Sequence, residues 1–199
     1  RRSADETRAV LARLEAAGDR PDLIVSLGSC GSRELEHAAV YQASSVAYRD
    51  MDASALGFPK GMTPLLDQPA VMPLPCPIPG VPTARLSTGA NVVSGGVYDA
   101  IDADMVDMET WALVRAAQTF GVPLIALRGV SDGRAELKAL EDWTSTLHHV
   151  GQNLAVALDR LTAVLETHGL SALEIPNLEK TAPQGQDPAQ RPAPDSITP

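Results

Sequence analysis

Apolar positions along this chain recur with two periods. Val10, Leu11, Leu14 and Ala17 stand at helical spacing, which predicts a helix over Ser3–Ala17. Ser3 and Glu6 fit an S-x-x-E capping box at its start, and Gly18 and Pro21 close it. Asp22–Leu27 is a short apolar run of the kind found in strands covered on both faces. Val40–Tyr48 is rich in β-formers, and Thr83–Ser87 is a further candidate strand. The densest stretch is Asp104–Gly133. Asp107 can cap a helix there, and Glu109 in the first turn complements the dipole. Leu113, Ala116, Ala117 and Phe120 form the apolar stripe; Gly121 and Pro123 stop it. Pro123–Val130 then reads as a buried strand, ended by the polar Ser131-Asp132-Gly133. Trp143 begins the last predicted helix, with Leu147, Val150, Leu154, Leu158, Leu161 and Leu165 on one face and Gly169 at its end.

Helices alternating with buried strands predict an α/β domain over residues 1–169. A C-terminal extension, 170–199, follows; its Thr181–Pro199 portion is rich in Pro, Gln and Ala without apolar periodicity and predicts a disordered tail. Eight prolines fall between Pro59 and Pro82, too many for a helix or a central strand. That segment reads as a long ordered loop or lid with extended pieces, covering the active site or a partner subunit.

Composition narrows the function. The 199 residues carry a net charge of −9, which argues against nucleic-acid and anionic-membrane binding, since both need a basic face. Asp99, Asp102, Asp104, Asp107 and Glu109 come with no intervening base and read as a solvated acidic loop. No apolar run reaches the length of a membrane span, and two cysteines, Cys30 and Cys76, suit neither a disulfide scaffold nor a metal site. A reducing cytoplasm is the expected location. His148 and His149 are neighbours on a helix and point about 100° apart, so they read as helix surface and no metal is expected.

In open α/β sheets ligands gather at the carboxyl ends of strands. Two loops qualify, Gly28-Ser29-Cys30-Gly31 and Ser131-Asp132-Gly133. Each has a plainer reading: G-S-x-G as a tight turn after a strand, and Asp-Gly as a turn dipeptide. Glu109 is equally well explained by the helix dipole. The residues alone leave these alternatives open.

A resemblance bears on them. VDMET, the helix after it, GVP and LRGVSDG resemble the signature of the nucleoside phosphorylase/nucleosidase superfamily, and within it the bacterial 5′-methylthioadenosine/S-adenosylhomocysteine nucleosidases. YRDMDASALGFPKG and the Thr88–Gly95 loop resemble two further family segments. The resemblance covers roughly Ser3–Gly169. It implies a three-layer α/β/α domain around a mixed, largely parallel sheet, N-terminally incomplete because the family's opening strand, with the acid that activates water, lies outside these 199 residues.

The implied function is purine nucleoside hydrolysis in methionine salvage, by a homodimer without cofactor or metal. A phosphate-dependent phosphorylase is the alternative enzyme, and an inactive nucleoside-binding or dimerising remnant the alternative class. In the implied roles Asp132, oriented by Ser131, protonates the departing base; a carboxyl in an apolar pocket is expected to hold its proton near neutrality. Glu109 accepts hydrogen bonds from the ribose hydroxyls, and Met108 packs on the sugar. Ser29 and Gly31 lie at the ribose end, with Arg128 and Ser29 holding water or phosphate, and Cys30 is a buried filler. Val92 and Val93 meet the base where the family has a stacking aromatic, a loss of about 0.5–1.5 kcal/mol. Trp143 takes the place of a pocket aromatic or packs in the core.

Overall fold

The computed structural model describes residues 2–66, 68–133, 135–136 and 138–173. The predicted tail and the side chain of Ser3 lie outside the described residues. In chain order the elements are α1 (Arg2–Ala16), β1 (Ile24–Gly31), β2 (Val40–Tyr48), β3 (Val71–Pro73), β4 (Thr83–Thr88), β5 (Met105–Asp107), α2 (Thr110–Thr119), β6 (Leu124–Asp132), α3 (Leu140–Thr144) and α4 (Leu147–His168).

The sheet is mixed and largely parallel. β1–β6, β2–β4 and β4–β5 run parallel. β3 joins β2 antiparallel, and β5 meets β1 only at Val106 and Gly31. The start of β2, Val40–Gln42, also pairs antiparallel with β6. β2 therefore belongs to two neighbours in succession, and the sheet curls into a ring of β1, β6, β2, β4 and β5.

Helices cover the sheet on two faces. Leu124, Ala126 and Val130 of β6 join α2's Val114 and Ala117 in one core cluster. Ile125 and Leu127 join Val150, Leu154, Ala157 and Leu161 of α4 in the other. This is why β6 reads as a continuous apolar run: successive side chains point to opposite faces, and both faces are covered. Each fully buried Leu or Ile in these layers contributes about 1.5–3 kcal/mol.

Several expectations shift. β1 continues to Gly31, so Gly28–Gly31 is the end of a strand and not a turn after it; a register irregularity against β6 falls between Cys30 and Gly31. Likewise Ser131 and Asp132 are the last residues of β6. Trp143 sits in the short α3, and the last helix starts at Leu147. On α1, Val10 is 42% exposed, while Ala4 and Leu11 are buried. The helix packs on α2 along that neighbouring line.

The proline-rich segment is the largest departure. Met72, Leu74, Cys76 and Ile78 are buried, while Pro73, Pro75, Pro77 and Pro79 between them are exposed. An extended chain of period two places each proline, which has no N–H to satisfy, on the solvent side. The Gln42 amide fastens the strip from within, donating to the Cys76 carbonyl at 2.6 Å and accepting from the Ile78 N–H at 2.8 Å. No described residue between 59 and 82 lines the cavity of the next section. Nor is 99–109 a plain solvated loop: Arg33 reaches Asp99, Arg85 reaches Asp102 and Asp104, and Asp107 is buried. Beyond α4, Gly169 (φ 65°) ends the helix as expected, and Leu170–Leu173 turns back to bury Leu173.

Candidate active site

Strands β1, β5 and β6 end side by side: Gly31 is in register with both Val106 and Asp132. A cavity of about 630 Å³ opens over these ends. Ser29 and Gly31 form one wall, Val92 and Val93 another, and Met108, Glu109, Asp132 and Trp143 line the rest. Asp132 and Glu109 thus face one space, although 23 positions apart in the chain, because β6 and the start of α2 finish at the same edge of the sheet.

The two acids are held differently. Oδ1 of Asp132 accepts a 2.6 Å hydrogen bond from Ser131 Oγ. Ser131 is fully buried, behind the cavity wall. The segment after β1 grips the strand end: Ser32 N–H donates to the Asp132 carbonyl and Ala38 N–H to that of Val130, each at 2.8 Å. Between them the His37 Nε2–H reaches the Ser131 carbonyl, also at 2.8 Å; the carbonyl can only accept, so this nitrogen carries the proton. Glu109 stands just before the first residue of α2 and caps no N–H with its side chain. Its carboxylate is exposed to the cavity, with the helix N-terminus beside it.

Arg128 departs from its expected place. It is 2% exposed and does not line the cavity. All five of its N–H donors are used inside the fold. Nε meets Asp107 Oδ2 at 3.1 Å, Nη1 meets the Ser26 and Leu127 carbonyls, and Nη2 meets Ser26 Oγ and Thr110 Oγ1. It has no donor left for water or phosphate. A buried guanidinium must be paired to be tolerated, and the pair is Asp107. Asp107 also accepts from Thr88 Oγ1 at 2.6 Å, and from the backbone N–H and hydroxyl of Thr110. The expected N-cap is therefore present, but its carboxylate joins β4, α2 and β6 as well.

Arg49, Asn91 and Lys138 line the cavity without having been singled out in the sequence. Arg49 donates to the carbonyls of Ser87, Asp107 and Asn91, and burial lowers its pKa, opposed by Asp50 and Asp107. Asp50 accepts the Ala90 N–H at 2.6 Å. Arg49 and Asp50 thus pin the loop that carries Val92 and Val93. Gly89 makes room for this: a Cβ there would lie 2.4 Å from Arg49 Nε. The only sequence signal was an Arg-Asp pair directly after a strand.

Trp143 lines the cavity at 38% exposure, and its Nε1–H lies 3.4 Å from Ser29 Oγ. Burial pushes the Cys30 thiol up to about 12, against the nearby charge of Arg128; its Sγ lies 3.8 Å from Met105 Sδ. This is a packed thiol and not a nucleophile. His148 and His149 meet edge to face on the exposed side of α4. Among the described residues no cluster of His, Cys, Asp and Glu could hold a metal ion, and no helix is long and apolar enough to cross a membrane.

The comparisons with known proteins agree with this arrangement. The profile of the phosphorylase superfamily matches residues 82–166, which run from β4 through both acids into α4. A 5′-methylthioadenosine/S-adenosylhomocysteine nucleosidase of Actinobacillus succinogenes is 27% identical, with 58% of each chain covered. The chain therefore spans a little over half the length of that relative. The corresponding protein of Halalkalibacterium halodurans is 25% identical over 70% of this chain and 69% of its own. In three dimensions the chain is similar to futalosine hydrolase of Helicobacter pylori, with a TM-score of 0.66 at 19% identity, covering 79% of this chain and 74% of that one. Profile, relatives and curled mixed sheet converge on one statement: the chain belongs to the phosphorylase superfamily.

Proposed function

We propose that the protein hydrolyses the N-ribosidic bond of a purine nucleoside, with 5′-methylthioadenosine, S-adenosylhomocysteine or a close relative as substrate. The observation that carries this reading is the shared cavity of Asp132 and Glu109. Such cleavage passes through a sugar with oxocarbenium character, and a purine leaves poorly as an anion. Asp132 would deliver a proton to the base through Oδ2, since Ser131 occupies Oδ1. Glu109 would accept hydrogen bonds from the ribose hydroxyls, with Met108 against the sugar face. Ser29 and Gly31 would lie beside the ribose, Val92 and Val93 would meet the base, and Trp143 would close the remaining side. Water adds to the anomeric carbon as the base departs with its new proton. Water is favoured over phosphate because the Arg128 donors are consumed within the fold. The names of the two relatives support the substrate class. A cytoplasmic homodimer serving methionine salvage belongs to the same reading, and sedimentation of the purified protein tests the dimer.

The deciding experiment measures free base released from 5′-methylthioadenosine by the full-length protein, with and without phosphate. Release without phosphate, reduced 10²–10⁴-fold by Asp132→Asn and strongly by Glu109→Gln with the fold intact, is expected. Base release that requires phosphate identifies a phosphorylase. Thermal stabilisation by the nucleoside without turnover identifies a binding protein. Wild-type activity in both variants overturns the site.

A further inference from the structure

Among the described residues, the buried side-chain oxygen left without a hydrogen-bond partner is the hydroxyl of Tyr98. Tyr98 lies in the 3-10 turn Gly95–Ala100. Its hydroxyl rests against the bare α-carbon of Gly31: a Cβ built there would be 2.3 Å from it, 3.0 Å from Asp132 Oδ2 and 3.2 Å from Val106 Cγ2. Gly31 does not have a positive φ, so its lack of a side chain serves space and not backbone conformation. Glycine at this position lets a phenol come up beside the carboxylate. Gly31, Val106 and Asp132 all line the cavity.

A buried hydroxyl with no partner is costly, and native proteins keep few of them. Where one survives beside a binding site, a ligand atom is a natural partner for it. The carboxylate next to it is half engaged: Oδ1 of Asp132 is taken by Ser131, while Oδ2 is turned toward Gly31. Burial, with the charge of Asp132 next in weight, holds the Tyr98 phenol above its ordinary pKa. The group is therefore neutral at physiological pH and can both donate and accept a hydrogen bond.

We propose that Tyr98 is a specificity-determining residue whose hydroxyl, together with Asp132 Oδ2, reads the polar edge of the departing purine. This rests on the nucleosidase reading above. That edge carries a ring nitrogen beside either an amino group or a carbonyl, a donor or an acceptor according to the base. A phenol can accept from a 6-amino group or donate to a 6-oxo group by turning its O–H. The pair thus serves both 6-amino and 6-oxo purines, where a pure acceptor would exclude the second.

The test compares wild-type and Tyr98→Phe full-length protein on 5′-methylthioadenosine and on its 6-oxo counterpart, 5′-methylthioinosine. Melting temperature is followed with and without nucleoside. The wild type is expected to cleave both. Y98F is expected to melt at or above the wild-type temperature without ligand, because the unpaired hydroxyl is gone. Its KM should rise roughly tenfold on both substrates, the loss of about one hydrogen bond, and its nucleoside-induced stabilisation should shrink. Y98F with wild-type KM on both substrates overturns the role of Tyr98 and leaves the nucleosidase reading standing. Y98F that loses stability and activity together also overturns it, by making Tyr98 a structural support. A wild type that neither cleaves nor binds either nucleoside overturns both readings at once.

Discussion

Asp107 Oδ2 lies 3.1 Å from Arg128 Nε, and neither side chain is more than 2% exposed. This pair sits between β4, α2 and β6, directly behind the cavity. Removing one partner of such a pair leaves an uncompensated charge in the interior. Arg128→Ala is therefore expected to destabilise the protein by about 3–5 kcal/mol. Arg128→Lys keeps the charge but offers three donors where five are used, so its loss should fall short of alanine's. Urea unfolding of the three proteins measures the order; an alanine variant as stable as wild type contradicts it.

His37 reaches the carbonyl of Ser131, one residue before the proposed proton donor. It touches no part of the cavity lining, so its effect on catalysis is one of positioning. His37→Ala should lower kcat roughly tenfold or more, since small misplacements of a reacting group are expensive, while KM changes little. His37→Gln, whose amide can donate to the same carbonyl, should recover part of the loss. Equal kcat in wild type and the alanine variant would dismiss the role.

Arg85 predicts a pH dependence. Its hydrogen bond holds Asp104 below the usual carboxylate pKa, with burial opposing. A depressed folded-state pKa adds stability that is present above the unfolded value, about 3.9, and is lost as the pH falls through the folded value. Wild type should thus melt above Asp104→Asn at neutral pH, and the two should converge under acid below about pH 3.9. Both side chains are more than a third exposed, so the margin is small and shrinks with added salt. A margin unchanged down to pH 2 would rule this linkage out.

Much of the fold was readable from periodicity. β6, α2 and α4 each carry a pattern long enough to name their type, and Gly121 and Gly169 mark helix ends. Strand ends were harder. β1 and β6 run on into Gly31 and Asp132 because neighbouring strands pair with polar and glycine residues that look like turns in isolation. The alternation Met72–Ile78 was visible in the letters, but proline density masked it.

The site divides in the same way. Asp132, Glu109, Met108 and the Ser29–Gly31 segment could be nominated from their place at element ends, since local order along the chain dictates where strands stop and helices begin. Whether a polar residue faces the cavity or the core depends on partners far away in the chain. Arg128 turned inward because Asp107 and Ser26 meet it from two other strands. Tyr98 reached Asp132 because Gly31, sixty-seven positions earlier, has no side chain. Periodicity encodes which face of an element is apolar; the folded arrangement alone chooses the neighbour each polar group meets.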